Sequence, residues 1–357
     1  MNERRIHIPE KKLCNCNSNI MVSICCITYN HEKYIADAIE GFLMQETTFP
    51  FEIIIGEDCS SDRTREIAIQ YKNKYPILIK IITSEINVGA TKNFSRTIMA
   101  AQGKYIAICE GDDYWTDPQK LQKQVLFLES NHDYAMVHSD ASCLIQTTKV
   151  YYQSNNKERL KRKIPSGYIY EQLLINNSLI TLTVVMRKTI LQNAMNELAL
   201  QNKQWKMTDY PLWLEIAKHH NIHYIDESLG VYRVLPHSAS HNKDMNQTFL
   251  FDRDTFDVKF YFLRKYGSTS TTLAIIKKEY NEKTSRYAFE LNDKAILEDY
   301  PLFKDIKISF KVRIYQAGLK NSILRYFIIR CLKIFNYLKM IHPSRIIQQR
   351  IWITSKS

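Results

Sequence analysis

GKYIAICEGDDYW, residues 103–115, is the stretch that decides how this chain is read. Tyr105 to Cys109 is a short apolar run rich in strand formers, the mark of a buried strand. It stops at Glu110-Gly111-Asp112-Asp113. Adjacent carboxylates at a strand end repel one another unless a cation or hydrogen bonds compensate. A hard divalent ion such as Mg²⁺ or Mn²⁺ binds one or two such carboxylates together with phosphate oxygens. Taken alone the cluster serves equally well as a turn and helix cap, since Asp is common in both. Its neighbours decide between the two.

Upstream, Met21 to Tyr29 (MVSICCITY), Phe51 to Ile55 (FEIII) and Ile77 to Ile82 (ILIKII) are three more apolar strand-like runs. Helical segments separate them. Asn30 is placed to cap the first, whose Tyr34, Ile35, Ala38, Ile39 and Phe42 share a face. Asp62 caps the second, which runs through Lys74. Asn87-Val88-Gly89 is a turn, and Ala90 to Ala101 reads as the third helix. A helix from about Asp117 to Leu128 follows the acidic cluster. Strands alternating with helices build βαβ units and a mostly parallel α/β sheet flanked by helices. Fully apolar strands fit a sheet covered on both faces. Ligands bind such sheets beyond the carboxyl ends of the strands. There the polar residues collect: Thr28, Tyr29 and Asn30, then Glu57, Asp58 and Ser60, then the acidic cluster.

Each group has a plausible chemistry. Asp58 can accept the N3–H of a uracil-type base, and it lies too early to cap the helix that Asp62 opens. Tyr29 can stack on a base, with Thr28 or Asn30 hydrogen-bonding to it. Lys92 and Arg96 can reach phosphate or base from the third helix. Farther on, residues 141–202 mix strand and helix signals. Trp205 to His219 reads as a helix opened by Thr208-Asp209, and Ile222 to Val234 as a strand or hairpin. The chain beyond Gln247 reads as helical and polar.

The 357 residues, 45% apolar and 24% charged, suit one large folded α/β domain with an appendage. The formal charge of +12 is concentrated: residues 301–357 carry twelve Lys and Arg against one acid, Asp305. No nucleic-acid motif accompanies that charge, so nucleic acid is not the expected partner. On a helical wheel of residues 321–339, Arg325, Arg330, Lys333, Asn336 and Lys339 share one half, and Ile323, Leu324, Phe327, Cys331, Ile334, Phe335 and Leu338 the other. Such a basic amphipathic helix lies in an anionic membrane surface, or packs by its apolar half and leaves a solvated basic face. Cys14-Asn15-Cys16 has no second cysteine pair at zinc-site spacing, and the other cysteines sit mostly in apolar runs. Neither a signal peptide nor an uninterrupted transmembrane run is expected, and a reduced, cytoplasmic setting is the simplest reading.

Residues 21–130 resemble the catalytic domain of the family 2 glycosyltransferases, which have the GT-A fold. VSICCITYN, FEIIIGEDCSSDRT, NVGATKNF and GKYIAICEGDDYW, with DPQKLQKQ after them, carry the resemblance in the family's order and spacing. It implies a nucleotide-sugar donor and Mn²⁺ or Mg²⁺, with Tyr29 and Asp58 at the base, Asp112 near the ribose and metal, and Asp113 at the metal. Glu110 stands where many relatives carry Asp, which leaves its role as a ligand open. The resemblance extends to Met207–Trp213, where Asp209 matches the catalytic base and Glu215 on the same helix is the reserve. Val231-Tyr232-Arg233 with His237, Ser238 and Ser240 resembles the family's closing motif near the donor phosphates and metal. Leu235 stands where relatives carry that His.

The implied organisation is a lead-in over 1–20, a catalytic domain over 21–245 divided near residue 140, and a helical basic region over 246–357. The implied activity is inverting transfer to a glycan or lipid-linked acceptor in cell-surface polysaccharide synthesis, at the inner face of the membrane. A nucleotidyltransferase would be expected to carry a Gly- and basic-rich phosphate loop near the first strand, and none is found. A non-catalytic, membrane-peripheral binding protein on the same fold would not need Asp58, Asp112, Asp113 and Asp209 together.

Overall fold

The apolar runs are strands in the computed structural model, which describes residues 19–154, 156, 163–201, 205–236 and 244–341, the last nine of these by backbone alone. β1 (Val22–Thr28), β2 (Phe51–Glu57), β3 (Ile79–Ile82) and β4 (Tyr105–Ile108) pair in parallel in the order β3-β2-β1-β4. Every residue of β2 is buried, as an apolar strand under helices on both faces requires. The connections are α1 (Ile35–Leu43), α2 (Thr64–Lys74) and α3 (Ala90–Met99). α1 buries Ile35, Ala38, Ile39 and Phe42, the face expected from their spacing.

Asn30 does not cap α1. A turn with Tyr34 N–H donating to the His31 carbonyl (2.9 Å) intervenes, and the helix begins after Tyr34. Asp62 does secure the start of α2, accepting from the Thr64 N–H at 2.9 Å.

Beyond β4 the sheet becomes mixed. β5 (Tyr114–Trp115), α4 (Lys120–Ser130), β6 (Tyr134–Ile145), β7 (Val150–Tyr152), α5 (Tyr170–Ile175), β8 (Val185–Arg187), α6 (Lys188–Ala199), α7 (Asp209–His219) and β9 (Asn221–Val234) follow in turn. β8 lies antiparallel between β4 and β6, β9 runs parallel to β6, and β5 closes the row antiparallel to β9. Mostly parallel is therefore true of the first half, and the antiparallel pairings belong to the second. β6 resisted reading because its middle is buried yet polar: His138, Ser139, Asp140 and Ser142 are all inside. Hydrogen bonds hold Ser142 and Asp140 there, Ser142 pairing with the Ser228 hydroxyl at 2.8 Å. Asp140 accepts from the Ala141 N–H at 2.8 Å and the Asn156 N–H at 2.9 Å.

Two compact units result. The first comprises Met1–Ile169, Ser178–Gln204 and Thr208–Val234, so it ends ahead of the boundary expected at residue 245. Its core joins β1, β2 and β4 to α1 and Trp115. The second comprises Tyr170–Asn177, Trp205–Met207 and Leu235–Ser357. Its helices are α5 with α8 (Met245–Tyr266), α9 (Ser270–Leu291), α10 (Ala295–Asp299), α11 (Phe310–Lys320) and α12 (Ser322–Ile341). Tyr287, Ala288, Phe289, Ile296 and Leu319 form a core there.

Candidate active site

Backbone hydrogen bonds run past the strand ends and bring three loops to one edge. Gly111 N–H donates to the Ile27 carbonyl (2.9 Å), and Asp58 N–H to the Thr28 carbonyl (3.1 Å). Parallel pairing with matched registers thus sets Thr28, Asp58 and the acidic turn side by side. The loops after β1 and β2 are also bolted together. Asn30 N–H donates to Ser60 Oγ at 3.0 Å, and Asn30 Oδ1 accepts from the Ser61 N–H at 2.9 Å. Asn30 and Cys59 both adopt left-handed backbone, with φ of 56° and 58°. Asn tolerates that region, whereas Cys is strained in it, a feature common at functional edges. Tyr29 stands on this edge with 45% of its surface exposed, free to stack on a flat ligand.

Asp58 is buried and braces the loop before α3. Its carboxylate accepts from the N–H groups of Val88 and Gly89, each at 2.9 Å, with the Arg96 guanidinium 3.6 Å away. Arg96 also donates to the Glu57 carbonyl (2.8 Å) and to Asn93 Oδ1 (2.9 Å), so its donors serve the scaffold. Lys92 is exposed on the first turn of α3. Its neighbour Thr91 hydrogen-bonds Thr208 at 2.8 Å, which ties the start of α3 to the residue before Asp209.

The acidic turn concentrates charge. Glu110, Asp112 and Asp113 each present a carboxylate oxygen within 4.8 Å of the others. Burial, then Asp112, then Asp209 push the Glu110 carboxyl up to about 8. Burial, with Asp112 and Glu110 adding, raises Asp113 well above the usual carboxylate range, and the Arg233 N–H and guanidinium oppose the rise. Three crowded carboxylates are the donor set a hard, oxygen-seeking divalent cation prefers, and such a cation removes the repulsion. The residues therefore fit Mn²⁺ or Mg²⁺.

Arg233 sits beneath the turn and is nearly all buried. Its N–H donates to Asp113 Oδ1 (2.7 Å), one guanidinium nitrogen donates to the Asp112 carbonyl (2.9 Å), and the other pairs with Asp37 on α1. The guanidinium also lies 4.4 Å from the ring centre of Tyr114 and 5.2 Å from that of Tyr34. Arg233 was expected near the donor phosphates; the part of Asp37 in holding it was missed, because Asp37 looks in sequence like any solvent-side helix residue.

Asp209 opens α7, and its charge adds, after burial and Asp112, to the rise at Glu110. Thr181 hydroxyl donates to Asp209 Oδ2 (2.7 Å), and the Tyr210 N–H to Oδ1 (2.7 Å), which fixes the carboxylate's direction. Thr181 had no signal of its own. Glu215 is buried on α7. His237 falls outside the described residues. The Thr28 hydroxyl and His31 Nδ1, both beside Gly111, are further site neighbours that are buried without a hydrogen-bond partner.

Several known proteins are similar to this chain in sequence or fold. The family model described as glycosyl transferase family 2 matches residues 23–189. The chain is 32% identical to the uncharacterized protein Rv1520 of Mycobacterium tuberculosis over 71% of its own length and 68% of that protein's. It is 30% identical to the Escherichia coli UDP-Glc:alpha-D-GlcNAc-diphosphoundecaprenol beta-1,3-glucosyltransferase WfgD, over 62% of this chain and 81% of WfgD. In three dimensions it is similar to the mannosyltransferase PcManGT of Pyrobaculum calidifontis, with a TM-score of 0.53 at 12% identity, over 95% of this chain and 84% of that one. Motif order, a sheet edge with a three-carboxylate turn, and these relatives converge: the chain belongs to glycosyl transferase family 2 and is a glycosyltransferase of GT-A type fold.

Proposed function

We propose that the protein is an inverting glycosyltransferase that moves a sugar from a nucleoside-diphosphate sugar to a glycan or lipid-linked acceptor, on the cytoplasmic face of a membrane, in cell-surface polysaccharide synthesis. The observation that carries the reading is the cluster of Glu110, Asp112 and Asp113 carboxylates, within 4.8 Å of one another, at the strand edge shared with Thr28 and Asp58. WfgD, by its name, glucosylates a diphosphoundecaprenol-linked sugar, and PcManGT was solved with GDP-Man and Mn²⁺. The free state of Cys25, Cys26, Cys59, Cys109, Cys143 and Cys331 suits a reducing compartment.

Tyr29, Thr28, Asn30 and Asp58 face the base in this scheme, Asp112 the ribose and Lys92 the phosphates. Asp113 and Asp112 would hold Mn²⁺ or Mg²⁺, with Glu110 as the third carboxylate in reach and His237 a further ligand. The ion supplies positive charge to the diphosphate as it leaves. Arg233 serves the diphosphate side by keeping Asp112 and Asp113 in place. Asp209 takes the proton of the acceptor hydroxyl while that oxygen bonds to the anomeric carbon. The bond from that carbon to the diphosphate breaks on the opposite face, so the configuration inverts and no protein nucleophile takes part.

Asp209→Asn separates the base from the binding site. It is expected to lower kcat by about 10²-fold or more, as loss of a general base does. Stabilisation by the nucleotide sugar with Mn²⁺ in a thermal-shift assay should persist. Near-normal turnover in this variant would remove Asp209 from the mechanism. Release of pyrophosphate rather than nucleoside diphosphate would point to nucleotidyl transfer instead.

A further inference from the structure

α12 turns the unexpected side toward its own unit. Ile328, Ile329 and Leu332 pack on the core of Tyr287, Phe289 and Leu319. Arg325 donates to the carbonyls of Phe289 (2.9 Å) and Glu290 (3.2 Å). Positions 325, 328, 329 and 332 share one face at helical spacing, so the buried face is the mixed one. The apolar stripe faces outward: Ile323 is 69% exposed, Phe327 59% and the adjoining Tyr326 53%. Cys331, one turn on from Phe327, is exposed too. Packing by the apolar half, with the basic half solvated, is thus not what the described residues of this helix do.

Aligned large apolar side chains left in solvent mark a surface that something covers. The charge of this unit selects the cover. The Arg330 guanidinium lies on the outward side, 4.8 Å from the Tyr326 ring centre. Lys304, Lys307, Lys311, Arg313 and Lys320 are exposed in the same unit. The single acid of residues 301–357, Asp305, is paired with Lys277. A second copy of this chain would bring an equal surplus of positive charge against the first. An anionic lipid surface offers both an apolar layer for the stripe and phosphate for the cations. Among the described residues no helix is long and apolar enough to cross a membrane, so the contact is in-plane.

We propose that Ile323, Phe327 and Tyr326 of α12 insert into the headgroup layer of an anionic bilayer while Arg330 and the exposed lysines of the same unit engage lipid phosphate. This contact is independent of the transfer chemistry.

The test is flotation of the full chain with vesicles of phosphatidylcholine alone, or of equal parts phosphatidylcholine and phosphatidylglycerol. Binding is expected to the anionic vesicles only and to fall with salt. The double variant Ile323→Glu/Phe327→Glu should bind at least about tenfold more weakly, and Arg330→Gln about fivefold more weakly. Turnover on a water-soluble acceptor should be unchanged in both variants. A readout on the unaltered chain is maleimide labelling of Cys331, which anionic vesicles should suppress while labelling of Cys59 continues. Equal binding by wild type and the double variant, or undiminished Cys331 labelling in bound protein, would overturn the proposal. So would failure to bind vesicles by a wild type that elutes as an oligomer which the double variant dissociates, since the stripe would then be a contact between copies.

Discussion

Half-buried among charges, Glu110 has its carboxyl pushed up to about 8 by desolvation, then Asp112, then Asp209. A cation that uses this carboxylate must displace the proton. Mn²⁺ affinity is therefore expected to weaken as pH falls below about 8, by up to about tenfold per unit for one proton. Glu110→Gln should remove one proton's share of that dependence and leave the share of Asp113, as titration calorimetry at several pH values would show. The ordinary value for Glu is 4.5, so the metal-free fold binds the extra proton between 4.5 and about 8. Its stability should fall as pH rises through that window, and added Mn²⁺ should offset the loss. Gly111 tests the turn sterically. A Cβ there would stand 2.6 Å from Thr28 Oγ1 and 2.8 Å from Thr28 Cβ, and the latter is fixed to the backbone of β1. Gly111→Ala should shift the turn and lower turnover by roughly 10²-fold, the usual effect of an ångström-scale misplacement. Normal kinetics for this variant would mean the turn is looser than drawn. The acidic residues were legible in sequence because four charges or turn formers interrupt an apolar run. The influence of Asp209's charge on Glu110 was not, because the fold joins residues far apart in the chain.

Elements were legible where burial and polarity agree. β1, β2 and β4 read correctly because most of their buried residues are apolar, and the buried Ser23, Glu52 and Glu57 are few enough to leave the runs intact. β6 was not legible, since it buries His138, Ser139 and Asp140, and apolar periodicity has nothing to detect in such a strand. Asn30 misled for a related reason: residue types favoured at caps are also favoured in left-handed loop positions, and here the loop prevailed. The junction of α1 with β5 gives an element-scale test. A Cβ at Gly41 would lie 2.9 Å from the Trp115 backbone N and 3.0 Å from its carbonyl O, while Phe42 meets the Trp115 ring edge-on at 4.9 Å. Helix propensity alone says Gly41→Ala should stabilise α1 by about 1 kcal/mol. The contact says the opposite, and overpacking of this kind costs about 1–3 kcal/mol. A lowered midpoint in urea unfolding is expected, and a raised one would show that α1 can slide away from β5.

At the scale of the whole molecule, the first unit gathers the acidic turn, Asp58 and Asp209, and the second holds most of the excess positive charge. The sequence made that division of charge plain, but not which face of α12 is buried, because a wheel ranks faces without knowing the neighbour. It also left the Arg233 cradle hidden, since Asp37, Asp112 and Asp113 meet that residue only once β9 is paired. The central claim is that Glu110-Gly111-Asp112-Asp113 is the cation-bearing heart of a transferase site. Its most direct test is release of nucleoside diphosphate from UDP-, GDP- and dTDP-sugars by wild type and Asp113→Ala, each with Mn²⁺ and with a chelator. The account predicts that wild type turns over at least one donor with Mn²⁺ and stops with chelator, while Asp113→Ala is inactive in both though folded. Full Mn²⁺-dependent turnover by Asp113→Ala would contradict it.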